Sequence, residues 1–169
     1  MKSLTVLFVV LSLNVFAQQS VTEWKRDSIK YNRLINSDSI EIYLLQHFNV
    51  LRKSYNLKPL SLYVNDSAYI KCNQWADYLL ANKKIGHNGE AYEIAVSYLI
   101  IKNEYIKHSH DINKFLAYEF YESWLNSPNH KSAILNSDKK FMIVCVGSRL
   151  NYNAPFFNKN LVGLARFFE

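Results

Sequence analysis

Two histidines and two glutamates carry most of the chemistry that this 169-residue chain could perform. His130 lies in Trp124-Leu-Asn-Ser-Pro-Asn-His130. Pro128 there stops one helix and opens the next, because proline lacks a backbone N–H and pre-sets the φ of a first helical turn. An imidazole in that turn is constrained from both sides and aimed in a fixed direction. His87 follows Gly86 in a short loop 43 residues upstream, with Glu90 and Glu93 three and six residues further on. Glu93 interrupts an apolar run, Tyr92-Glu-Ile-Ala-Val. A carboxylate in such a strand is costly unless it is paired, hydrogen-bonded or protonated. An imidazole from His87 or His130 would partner it. The same three groups would equally bind a divalent metal such as zinc, which accepts imidazole nitrogen and carboxylate oxygen together. Against this, a loop histidine is ordinarily a surface residue, and a glutamate on an edge strand can face solvent.

The other titratable residues have blander readings. His108 and His110 form a His-x-His pair, but Lys107-His-Ser-His-Asp111 is polar and reads as exposed loop. His47 falls on a helix and reads as structural. Glu119 and Glu122, three apart on a helix, read as solvated charge. No Gly-x-Ser-x-Gly elbow, P-loop, Gly-x-Gly-x-x-Gly or His-Glu-x-x-His occurs, and the chain has only 4 glycines. Hydride and nucleotide chemistry therefore find no support.

The compartment follows from the first residues. Met1-Lys2 precedes an apolar stretch, Leu4 to Phe16, and Val15-Phe-Ala17 offers small residues at −3 and −1 of a cleavage site. This is the pattern of a signal peptide, removed after Ala17, and the stretch is too short and interrupted to span a bilayer. The expected product is secreted or periplasmic, with no transmembrane segment. The net charge of +6 falls to +5 with Lys2 removed. Its basic residues are scattered, Lys83-Lys84 and Lys139-Lys140 being pairs that read as a solvated face, and no nucleic-acid motif accompanies them. Cys72 and Cys145 fit either a disulfide, favoured by an oxidising compartment, or two buried thiols acting as small hydrophobes.

The elements that must position these groups can be read from periodicity. Residues 18–36 form a polar N-terminal arm, and the domain proper spans residues 37–169. One of Ser37, Asp38 and Ser39 caps a first helix, whose stripe is Ile40, Leu44, Phe48, Leu51 and Tyr55. An extended connector, Leu57-Lys-Pro-Leu60, follows. A second helix from Asn65 or Asp66 buries Ala68, Cys72, Trp75, Ala76 and Leu79. Tyr92 to Ile101 reads as a strand. Asp111 caps a third helix carrying Phe115, Leu116, Phe120 and Trp124, and a short helix from His130 to Leu135 succeeds it. Phe141–Ser148 and Leu161–Phe168 are strands joined by a hairpin loop. Helices alternating with late antiparallel strands make this an α+β or layered α-β-α domain.

Four segments, in order, resemble the CAP superfamily (cysteine-rich secretory proteins, antigen 5, pathogenesis-related 1) in its exported bacterial form. His47-Phe-Asn-Val-Leu-Arg-Lys-Ser-Tyr-Asn-Leu-Lys-Pro-Leu60 resembles the opening helix and its N-x-x-R…GL-x-PL turn. Ala68 to Leu79 resembles the second helix, with Trp75-Ala76 as its WA pair. Gly86-His87 with Tyr92-Glu-Ile-Ala95 resembles H…GENIA. Trp124 to Leu135 followed by Val144 to Gly147 resembles W-x-x-S-P-x-H-x-x-I-L…GVG.

The resemblance implies an α-β-α sandwich with a central, mostly antiparallel sheet and an open cleft holding two histidines and acidic residues. By position His87 and His130 match the cleft histidines. Glu93 is taken for the first cleft glutamate, with Glu90 as the second candidate; a strict match on the alanine places Tyr92 there. The second acidic position falls at Ser127, which departs from a complete metal-binding tetrad. Relatives of this kind are linked to lipid or sterol binding, protein contacts, divalent-metal binding and hydrolysis. The reading that follows is an exported binding module whose cleft holds a metal ion or small polar ligand. A metal- or His/Glu-assisted hydrolase of peptide or cell-envelope substrates is the alternative, and a tyrosine-rich contact surface at Tyr152–Phe157 a third.

Overall fold

A computed structural model describes residues 35–82, 84, 86–87, 93–95, 99–102, 111–150 and 158–169. The first helix, α1 (Ser37–Ser54), is capped by Asn36, whose side chain accepts from the Ser39 N–H at 2.8 Å. The cap is thus one residue earlier than the Ser-Asp-Ser cluster suggested. Its apolar stripe buries Ile40, Leu44 and Phe48, but Glu41 and Arg52 are buried with them, whereas Tyr55 is 51% exposed. The helix ends in a Schellman motif. Asn56 adopts φ 55°, while Leu57 N–H reaches Arg52 O at 2.9 Å and Asn56 N–H reaches Lys53 O at 3.0 Å. Asparagine tolerates this left-handed position second only to glycine.

The connector leads through β1 (Ser61–Leu62) to α2 (Asp66–Asn82). β2 (Glu93–Ala95) and β3 (Leu99–Lys102) follow, then α3 (Ile112–Leu125), α4 (Pro128–Ile134), β4 (Phe141–Leu150) and β5 (Asn158–Phe168). Asp111 caps α3 as expected, accepting from Asn113 and Lys114 N–H at 3.0 and 3.2 Å. β4 and β5 pair antiparallel over ten residues, from Phe141↔Phe168 to Leu150↔Lys159. β1 joins the outer side of β4 in parallel, and β2 and β3 both pair antiparallel with the other side of β5. The single strand expected over Tyr92–Ile101 is therefore two. From Ala95↔Leu164 to Leu99↔Leu161 one chain advances four residues against three on its partner, an offset of one.

Alternation assigns the two faces. Ile143, Cys145, Val162 and Leu164 pack with Cys72, Ala76, Leu79 and Leu80 of α2. The opposite face meets α1 and α3: Phe48 lies 5.9 Å from Phe167 between ring centroids, and a Cβ on Gly163 would fall 2.7 Å from the Phe120 ring. The result is the expected α-β-α sandwich. Cys72 and Cys145 are free, buried thiols in the α2-side core.

Two polar side chains of α1 finish the sheet. Glu41 Oε1 accepts from Val144 N–H at 2.7 Å, and the Ser37 hydroxyl oxygen accepts from Val146 N–H at 3.2 Å. Residues i and i+4 of a helix thus cover alternate N–H groups on the side of β4 beyond β1, which would otherwise lack ladder partners. Lys139, expected on a solvated face, is buried, with its ammonium 3.2 Å from the Glu169 carboxylate.

Candidate functional site

The helix bearing His130 is held at both ends. Pro128 occupies its first turn, and Ser127 is the N-cap, with its hydroxyl making no capping hydrogen bond. The helix thus starts two residues before His130, because proline opens it. At the far end Arg52, fully buried, donates from Nη1 to Ile134 O at 2.7 Å and to Asn136 O at 2.8 Å. Its Nε reaches Lys58 O at 2.8 Å and its Nη2 reaches Lys139 O at 3.1 Å. One guanidinium thus ties the end of α1, the connector and the end of α4 together. Asn49, one turn earlier, clamps Leu60 from both sides, donating to its carbonyl at 3.0 Å and accepting its N–H at 2.7 Å. Trp124, which opens the motif, is fully buried beside Phe48 and Phe120. The most motif-like residues around the site are therefore its scaffold.

His87 is placed from the other side of the fold. Trp75 on α2 donates its indole N–H to Gly86 O at 3.3 Å, fixing the loop just before the histidine. The two imidazoles meet at 6.2 Å between centroids, nearly edge to face at 69°. His87 is exposed and His130 half-buried. Burial, aided by the neighbouring His87, lowers the His130 pKa from 6.5. It is therefore neutral at pH 7 and keeps a nitrogen lone pair to offer.

That separation can be tested against a shared ion. Zinc–nitrogen bonds of about 2.0–2.1 Å put each ring centroid about 3.2 Å from the metal. Two imidazoles then lie about 5.2 Å apart at a tetrahedral angle and up to about 6.4 Å at wider ones. The observed 6.2 Å exceeds the tetrahedral separation by about 1 Å and corresponds to an N–metal–N angle of about 150°, so a tetrahedral ion requires the two rings to close on it. Among the described residues no cluster of three His, Cys, Asp or Glu forms. The described donors near this point are the two imidazoles alone.

The remaining sequence candidates are placed as follows. Ser127 sits one turn before His130. β2, which carries Glu93, comes within 8 Å of α4 between Cα atoms. In register Glu93 stands opposite Arg166. Glu90, His108, His110 and the Tyr152–Phe157 loop lie outside the described residues. His47 is structural: its ring stacks on Tyr121 at 5.0 Å and meets Tyr118 edge-on at 6.1 Å. Among the described residues no helix is long and apolar enough to cross a membrane.

The model of the Cysteine-rich secretory protein family (CAP) matches residues 45–142, and the chain belongs to that family. The match runs from the middle of α1 through α4 to the start of β4. No curated protein matches the sequence. A solved structure, that of an outer surface protein from Borrelia burgdorferi, is similar at 18% identity over 79% of this chain and 97% of that one, with a TM-score of 0.42.

Proposed function

We propose that this CAP domain is an exported binding module whose cleft, built on His87 and His130, holds a divalent metal ion or a small polar ligand. The observation that carries the reading is the approach of the two imidazoles to 6.2 Å from opposite sides of the sheet sandwich. A neutral His130 needs no proton displaced before it donates to an ion at pH 7. Glu93 or Glu90 would complete the donor set, and Ser127 would face the ligand. Export is supported by the apolar Leu4–Phe16 stretch and the Val15-Phe-Ala17 cleavage pattern. The partner is then an envelope or extracellular molecule, a lipid or protein among the candidates.

Calorimetric titration of the metal-free protein with zinc tests this, beside His87→Ala/His130→Ala and single Glu90→Gln and Glu93→Gln variants. We expect saturable binding that the double substitution abolishes. Equal binding by wild type and double variant would overturn the cleft assignment. A hydrolytic reading is favoured by the same neutral His130, which could accept a proton from water. Turnover of a peptide or cell-wall substrate, lost in His130→Ala, would select it.

A further inference from the structure

On the α2 side of the sheet a second cavity, of about 280 Å³, opens between the start of α2 and the end of β5. Its lining includes Tyr63, Asn65, Ser67, Lys71, Arg166 and Phe168, and none of these belongs to the histidine pair. The walls differ in character. Arg166 is only 3% exposed, yet it contributes to the cavity surface. Lys71 lies on the exposed side of the same space. Asn65 and Ser67 add polar groups at the start of the 17-residue α2, the positive end of its dipole. Asn65 itself caps that turn, accepting the Ala68 N–H at 3.0 Å. Opposite them Tyr63 and Phe168 stack at 4.5 Å and 26°, forming a flat apolar wall.

Two cations therefore line one small concavity, and among the described lining residues there is no Asp or Glu. A positive concavity with a low-dielectric wall concentrates anions. A guanidinium prefers planar oxyanions, which it grips with two parallel N–H groups. The volume lies near the lower limit for small-molecule sites, too small for a polymer or a long acyl chain.

We infer that this cavity binds a small organic anion, a carboxylate or phosphate on a flat or apolar body. Arg166 and Lys71 take the oxyanion, and Tyr63 and Phe168 pack against the body. The site is separate from the histidine cleft and stands whether or not that cleft binds metal.

The test is an NMR titration of isotope-labelled protein at low salt, with benzoate and, separately, inorganic phosphate. We expect benzoate to give saturable shifts at the amides of Ser67, Ala68, Lys71 and Phe168. Affinity should fall at least threefold in Lys71→Met and at least tenfold in Arg166→Gln. Should Arg166→Gln fail to fold, Lys71→Glu reverses the charge at an exposed helix position and should abolish the shifts. Non-saturable shifts, or equal affinity in Lys71→Glu, would overturn the inference. Phosphate binding without benzoate binding would overturn the organic part of it.

Discussion

The guanidinium of Arg52 donates at 2.7 Å to the carbonyl of Ile134, the last residue of the helix that carries His130. The placement of His130 therefore depends on a residue 78 positions earlier, at the end of α1. A buried charge is tolerated here because four bonds to backbone carbonyls surround it.

Substitution of Arg52 should be among the most damaging in the chain. Hydrogen bonds to a charged group contribute about 1.5–3 kcal/mol each, and lysine cannot reproduce the planar fork. We expect Arg52→Lys to cost about 3 kcal/mol or more in denaturant melts and to weaken any zinc binding at the cleft. An unchanged melting midpoint would contradict the clamp.

Glu41 gives a pH signature. Burial raises its pKa from 4.5, against the lowering effect of the hydrogen bonds from Val144 N–H and the Tyr69 hydroxyl. A carboxyl whose folded pKa is raised contributes fully below its unfolded pKa, and that contribution is lost as pH rises through the folded value. Glu41→Gln removes the titration and keeps an oxygen acceptor for Val144. Its melting temperature should therefore gain on wild type as pH rises from below 4.5 to neutrality. A difference independent of pH would refute the assignment. Glu41→Ala, which strands the buried Val144 N–H and leaves the Tyr69 hydroxyl without its acceptor, should cost about 2–3 kcal/mol at low pH and less as pH rises to neutrality.

Gly163 marks where the sheet and α3 come closest. A Cβ there would lie 2.7–3.0 Å from three atoms of the Phe120 ring, which is itself fully buried and stacked on Trp124. Gly163→Ala should destabilise by about 1–3 kcal/mol through overpacking. Adding Phe120→Leu should recover part of that loss, as a double-mutant cycle would report.

The cysteines should behave as buried thiols. A hydrogen bond with Cys72, then burial, pushes the Cys145 thiol pKa up, so the reactive thiolate is scarce. A thiol reagent should label neither cysteine in the native protein and both after denaturation without reductant. A single species with no titratable thiol would show a cross-link instead.

Periodicity made the helices and the β4–β5 pair legible, since apolar stripes at intervals of four and strict alternation leave few alternatives. Glu41 and Arg52 were not legible as core residues, because charged side chains read as solvated until their partners are known. Those partners lie 103 and 82 residues away, at Val144 and Ile134. The split of Tyr92–Ile101 into β2 and β3 was equally hidden, as a mostly apolar run gives no sign of an offset in pairing. For the site, spacing offered His87, His130 and Glu93 as one possible group beside the blander reading of separate surface residues. The H…GENIA and W-x-x-S-P-x-H resemblances together singled out His87 and His130, while the register of Glu93 against Arg166 had no trace in either residue's neighbourhood.

Because β2 and β3 meet β5 one residue out of step, the outer rim of the sheet changes its pattern partway along. A strand arriving from another molecule would match one half of that rim and miss the other. The opposite rim has a strand of only two residues, and beyond it Ser37 and Glu41 already occupy the amides. Among the described residues neither rim offers the long flat row of donors and acceptors on which fibrous stacking begins. Backbone pairing between crowded copies is therefore disfavoured, among the described residues, at both rims.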